Sequence, residues 1–115
     1  MKYNLIQAGG REFAEIDSDE IIIRNVQDAL DLMANVRNNS LILRESNFEK
    51  SFFDLGTGLL GEILQKFTNY QVRLAIIGDF GKSSRNFQAF IGESNRHGRY
   101  LFVDSLEEVK RVWGS

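Results

Sequence analysis

The stretch Val72-Arg73-Leu74-Ala75-Ile76-Ile77 constrains this chain more than any other. Read as a strand, it sends Val72, Leu74 and Ile76 to one face and Ala75 and Ile77 to the other, so both faces are apolar. Such a strand must be covered on both sides, which places it centrally in a sheet flanked by other layers. Strand and helix patterns alternate around it. Tyr3–Ala8 and Arg11–Ile16 read as short strands, and Gly9-Gly10 between them supplies the positive φ angles of a tight hairpin. Ile21-Ile22-Ile23 is β-branched and predicts a further short strand. Asn25 is placed to cap a first helix, with Asp28 three residues on and Val26, Ala29, Leu30 and Met33 at helical spacing. Leu41-Ile42-Leu43 predicts a strand. Ser51 and Asp54 have capping-box spacing, which predicts that a turn begins there, and Leu59, Leu60, Ile63, Leu64 and Phe67 form the apolar face of a second helix. Phe87, Phe90, Ile91 and Ser94 line a third. Tyr100–Val103 predicts the last strand, and Ser105 with Glu108 caps a final helix carrying Leu106, Val109 and Trp113.

The predicted order is therefore β-β-α-β-α-β-α-β-α, a single domain over residues 1–115 with a mixed, mostly parallel sheet, an N-terminal hairpin and about four helices. Right-handed crossovers adding each strand on the same side put all crossover helices on one face. The opposite face then needs another cover, for which the first helix, a dimer partner and a ligand are the candidates.

At 115 residues one core suffices, since roughly two thirds of the unfolded surface is buried at this size. The 43% hydrophobic and 26% charged content is that of a globular domain, not a disordered chain. The chain has no cysteine, which excludes disulfides and thiolate chemistry and fits a cytoplasmic protein. No apolar run approaches the roughly 20 residues of a membrane span. A net charge of −2 argues against a general nucleic-acid binder.

Several groups qualify as candidate sites. Gly78-Asp79-Phe80-Gly81-Lys82-Ser83-Ser84 lies between a strand and a helix, but two residues separate its glycines where a nucleotide-binding loop needs four. What survives is a small-anion site at the helix start, with Lys82, Ser83, Ser84 and Arg85. Glu45, Asp79 and Asp104 fall at the carboxyl ends of parallel strands, where ligands of open sheets gather, and are weak candidates for a divalent cation. His97 is the only histidine and reads as a solvated loop residue without a carboxylate partner. Arg96 and Arg99 fall at the opposite sheet end from Lys82 and Arg85, so the basic residues form no single patch. Gly56, Gly58 and Gly61 bracket the second helix start and predict close backbone approach there. Thr57 is placed to cap that helix, and a phosphate on it would face the helix dipole favourably. Phe48, Phe52 and Phe53 sit in a predicted loop, either plugging the core or forming an exposed patch for association.

Two stretches carry a resemblance. Asp54-Leu55-Gly56-Thr57-Gly58-Leu59-Leu60-Gly61 resembles the turn of STAS domains in which a hydroxyl residue at a helix start is a phosphorylation switch. Arg73–Asp79, with Phe102–Val109 and Trp113, is similar to the C-terminal half of SpoIIAA-like relatives of that fold. Over the whole chain, Gln27–Met33, Phe52–Tyr70, Leu74–Phe80 and Gly92-Glu93-Ser94-Asn95 resemble a bacterial family known as domain-of-unknown-function family 4180, which brings no activity with it. The resemblance implies a STAS-like domain.

The leading expectation is a non-enzymatic regulatory or interaction module without a cofactor. It would bind a protein partner or form a homodimer through Phe48, Phe52, Phe53, Asp54, Thr57 and Gly58. The alternatives are a carrier of a small apolar or amphipathic ligand, and a metal-dependent enzyme at the strand-end carboxylates.

Overall fold

Gly9 and Gly10 adopt φ of +60° and +77° and fold β1 (Tyr3–Ala8) back on β2 (Arg11–Ile16), antiparallel from Tyr3 opposite Ile16 to Ala8 opposite Arg11. The computed structural model describes residues 1–115. After the hairpin, β3 (Ser40–Arg44), β4 (Arg73–Ile77) and β5 (Tyr100–Val103) join in parallel, giving a five-stranded mixed sheet in the order β1-β2-β3-β4-β5. The first hairpin lies at one edge, as the alternation predicts.

Four helices complete the α/β architecture. Asn25 caps α1 (Val26–Val36) by accepting the Asp28 amide at 2.9 Å, and the Asp28 carboxylate accepts from both the backbone N–H and the Nε of Arg24 at 3.0 Å. The hydrogen bond from Arg24 holds the Asp28 carboxyl below the usual carboxylate range. In α2 (Leu59–Asn69) the residues Leu60, Ile63, Leu64 and Phe67 are buried, in α3 (Arg85–His97) Phe87 and Ile91, and in α4 (Leu106–Trp113) Val109 and Trp113. Ser84 caps α3 through the Phe87 amide, and Ser105 caps α4 through the Glu108 amide.

The sheet divides the interior in two. On one face α1, α2 and α3 pack over Ala14, Ile16, Leu41, Leu43, Leu74, Ile76 and Phe102. On the other, Phe13, Ile42, Ala75 and Leu101 are covered by Val109 and Trp113. Each fully buried Leu, Ile or Phe contributes about 1.5–3 kcal/mol, so neither face tolerates exposure. The cover of the second face is thus α4, not the first helix. Its C-terminal end reaches the hairpin turn, where Gly114 lies so close to Gly9 that a side chain at Gly9 would collide with the Gly114 carbonyl.

One local expectation needs correction. Ile21-Ile22-Ile23 forms no strand; only Ile23 makes a single parallel bridge, to Phe48, while Ile21 stays exposed. A turn does form at Ser51, as its spacing to Asp54 predicts, but through the Ser51 carbonyl, which accepts the Asp54 amide at 3.2 Å, and not through a side-chain cap. Residues Glu45–Asn47, Lys50–Phe53 and Leu55–Thr57 form three short 3-10 turns, because the chain must fold a run of phenylalanines against the helix layer within a few residues. No helix is long and apolar enough to cross a membrane.

Candidate functional site

The carboxyl ends of β3, β4 and β5 deliver most of the candidate residues to one end of the sheet. Glu45 follows β3, and its Oε1 accepts the Asp79 amide at 3.1 Å. The Asp79 carboxylate turns back on the Gly81 amide at 3.2 Å. Asp104 is exposed beyond β5. No three His, Cys, Asp or Glu side chains stand together as a metal-binding group, so these three carboxylates do not converge. Two of them act instead as turn-stabilising acceptors.

Phe48 and Phe52 are 3% and 0% exposed and belong to the main core, which removes both from the expected association surface. The Phe52 ring centre lies 4.4 Å from that of Phe48, tilted, and meets Phe53 edge-on at 5.0 Å, and Phe53 continues the aromatic chain to Phe80 and Phe87. These rings plug the helix layer at the sheet end. Replacing Phe52 with Asp would bury a carboxylate among them, and the expected result is an unfolded protein in circular dichroism rather than a folded, dissociated one.

Asp54, Thr57 and Gly58 are exposed. Asp54 accepts the Gly56 amide at 2.9 Å. The Thr57 hydroxyl lies 2.9 Å from the Ser51 and Asp54 carbonyls and accepts the Leu59 amide at 3.2 Å, so it ties the 3-10 turns to the start of α2. Gly58 adopts φ +75°, which favours glycine, whereas side chains at Gly58 and Gly61 would meet nothing within 4 Å. Close backbone approach within the chain is therefore not the reason for these glycines. A shallow hollow separates Asp54–Gly56 from Ser83, Ser84 and Asn86. Lys82 and Arg85 are exposed beside it, and the Ser84 hydroxyl is taken up in capping α3.

The opposite end of the sheet holds what the sequence does not announce. α3 runs back along the sheet, so Arg96 and His97 lie far along it from Arg85. His97 is the last helical residue, and its Nε2 is 3.3 Å from Oε1 of Glu93, which corrects the expectation that it lacks a carboxylate partner. Arg96 holds the other Glu93 oxygen at 2.6 Å. Between α2, α3 and the start of β5 lies a groove of about 390 Å³ walled by Leu64, Phe90 and Tyr100, with Arg99 at its rim. A second groove, of about 450 Å³, lies where α1 and α2 end, along Leu30, Met33 and Tyr70.

The sheet edges also differ. At β5, the Asn95 side chain accepts from the Phe102 N–H at 2.8 Å and donates to its carbonyl at 3.1 Å, while Ser94 Oγ donates to the Tyr100 carbonyl. These side chains occupy the outward groups that another strand would use. At β1 the Asp17 amide bonds the Lys2 carbonyl, which fixes the alternation so that Tyr3, Leu5 and Gln7 turn their backbone groups outward. No loop or side-chain hydrogen bond reaches those groups, and Tyr3 and Leu5 are 39% and 54% exposed.

Searches among curated proteins and among solved structures give no match. The family model described as a domain of unknown function, DUF4180, matches residues 8–112, and the chain belongs to that family.

Proposed function

We propose that this chain is a non-catalytic, STAS-like interaction module that works as a homodimer, joined through the β1 edges of two copies. The observation that carries the reading is the contrast between a closed β5 edge and an open β1 edge. Open edges are ordinarily blunted by charge, proline or a bulge. Tyr3–Ala8 contains no charge and no proline, its register with β2 is unbroken, and the neighbouring Lys2 is 3.6 Å from Asp17 of its own chain. The edge is also self-complementary. With Leu5 facing Leu5 of a second copy, Tyr3 faces Gln7 on either side, all outward backbone groups of these residues find partners, and no like charges meet. The STAS-like assignment draws support from the element order and from the turn Asp54–Gly61.

Light scattering on dilution tests the dimer. The expected result is a mass that falls from twice 13.2 kDa toward the monomer on dilution. Leu5→Lys, a change at an exposed position, should give a monomer at every concentration with a melting temperature within about 2 °C of the parent. A parent that stays monomeric at millimolar concentration, or a dimer untouched by Leu5→Lys, overturns the proposal.

A further inference from the structure

We infer that the groove between α2, α3 and β5 is a binding site for a small carboxylate with an apolar tail, held by Arg99. The inference stands apart from association through β1, which lies at the far edge of the sheet. Leu64, Phe90 and Tyr100 give the groove a firmly held apolar surface, and Glu93, Ser94 and His97 line the rest of it. The Tyr100 hydroxyl is tied to Thr68 Oγ1 at 2.5 Å and to the Leu64 carbonyl at 3.1 Å, so its ring presents a fixed surface beside Leu64 and Phe90. The volume of about 390 Å³ falls in the range of small-molecule sites.

The charge at the rim selects the ligand. Glu93 is already matched by Arg96 and His97. Arg99 has no carboxylate within ion-pairing distance, and its Nε is buried without a hydrogen-bond partner. Its guanidinium carbon lies 5.9 Å from the centre of the Tyr100 ring. A buried N–H without an acceptor is a standing cost. A carboxylate is the acceptor whose two oxygens match a guanidinium fork, which a neutral alcohol cannot do. An unmatched guanidinium beside three apolar side chains, in a groove whose one carboxylate is already paired, therefore fits an anionic head and an apolar tail in one molecule.

Octanoate and 1-octanol, equal in chain length and different in head group, are the probes. Titration followed by amide chemical shifts should show one saturable octanoate site, with changes at Leu64, Phe90, Arg99 and Tyr100. Octanol should bind at least about tenfold more weakly. Arg99→Gln should reduce octanoate to the octanol level and leave octanol unchanged, while Arg99→Lys, which keeps the charge but not the fork, should fall between. Equal affinities for acid and alcohol overturn the assignment, as do shifts confined to the Leu30, Met33 and Tyr70 groove. Octanoate binding that survives both Arg99 substitutions, or no saturable binding at all, overturns it as well. Because the parent, Arg99→Gln and Arg99→Lys are all compared with octanol, a poorly folding variant is recognised by loss of both ligands.

Discussion

Replacing Asn47 with alanine is expected to destabilise the protein by about 3–5 kcal/mol and to lower its melting temperature by roughly 10–20 °C. Asn47 is fully buried, and its side chain makes three hydrogen bonds: Oδ1 accepts the Arg44 amide at 2.8 Å, and Nδ2 donates to the carbonyls of Ser18 and Glu20, both at 2.9 Å. Its own carbonyl accepts the amides of Ile22 and Ile23 at 2.7 and 2.9 Å. One residue thus pins the segment between β2 and α1 to the turn after β3. Alanine would leave an amide and two carbonyls without partners. Asn47→Asp separates this account from simple loss of packing. The ionised side chain keeps the acceptor but turns negative oxygen toward two carbonyls, so this variant should also be weak at neutral pH. Protonation restores one donor, and its deficit relative to the parent should shrink on acidification through the carboxyl range. Urea melts followed by circular dichroism supply the measurement. A loss below about 1 kcal/mol for Asn47→Ala would mean that packing of Ile23 and Phe48 alone holds the segment.

Asn47 also illustrates what local pattern cannot convey. Its partners Ser18 and Glu20 lie 29 and 27 residues away, and a single asparagine in a turn carries no periodic signal. The helices and the central strand were legible because their burial repeats along the chain. Leu60, Ile63, Leu64 and Phe67 recur at helical spacing, and Leu74, Ala75 and Ile76 are apolar on consecutive positions, hence on both faces. The caps Asn25 and Ser105 were legible too, because a cap acts on amides three residues away. Phe48, Phe52 and Phe53 follow no period. Their burial is decided by contact with Ile23, α2 and α3, and so the sequence left core and surface equally open for them. Ile21-Ile22-Ile23 fails in the opposite sense: its β-branched residues favour extended backbone, but only Ile23 finds a strand partner. The candidate groove at Arg99 was invisible for a related reason. Its walls come from α2, α3 and β5, and Arg99 differs from the other arginines in burying an Nε that has no acceptor, which is a property of packing.

The same limit applied to the second face of the sheet, and there the structure yields the other large prediction. The topology required a cover for Phe13, Ile42, Ala75 and Leu101, and α4, eight residues long, provides it chiefly through Val109 and Trp113. Trp113 is 2% exposed, meets Phe13 edge-on with centroids 5.3 Å apart, and donates its indole N–H to the Gly98 carbonyl at 2.7 Å. It also shields Arg73, whose guanidinium lies 4.5 Å from the indole centre and donates to Ser40 Oγ at 3.0 and 2.8 Å without any carboxylate partner. Burial, and then the nearby charge of Arg11, press the Arg73 pKa downward, and the indole face joins the Ser40 hydroxyl in offsetting that cost. Trp113→Ala removes ring packing, hydrogen bond and cation–π contact together, and is expected to cost about 3–5 kcal/mol, a large share of the roughly 5–15 kcal/mol by which domains are stable. Trp113→Phe keeps most of the packing and should lose about 1–2 kcal/mol, through the unpaired Gly98 carbonyl and a weaker π surface. Trp113 is the only tryptophan, so its fluorescence in the parent protein follows docking of α4 alone. If α4 is an integral cover, the fluorescence and circular dichroism transitions of the parent coincide in urea. An earlier fluorescence transition would show α4 detaching as a separate unit, leaving the Phe13 face open before the rest unfolds.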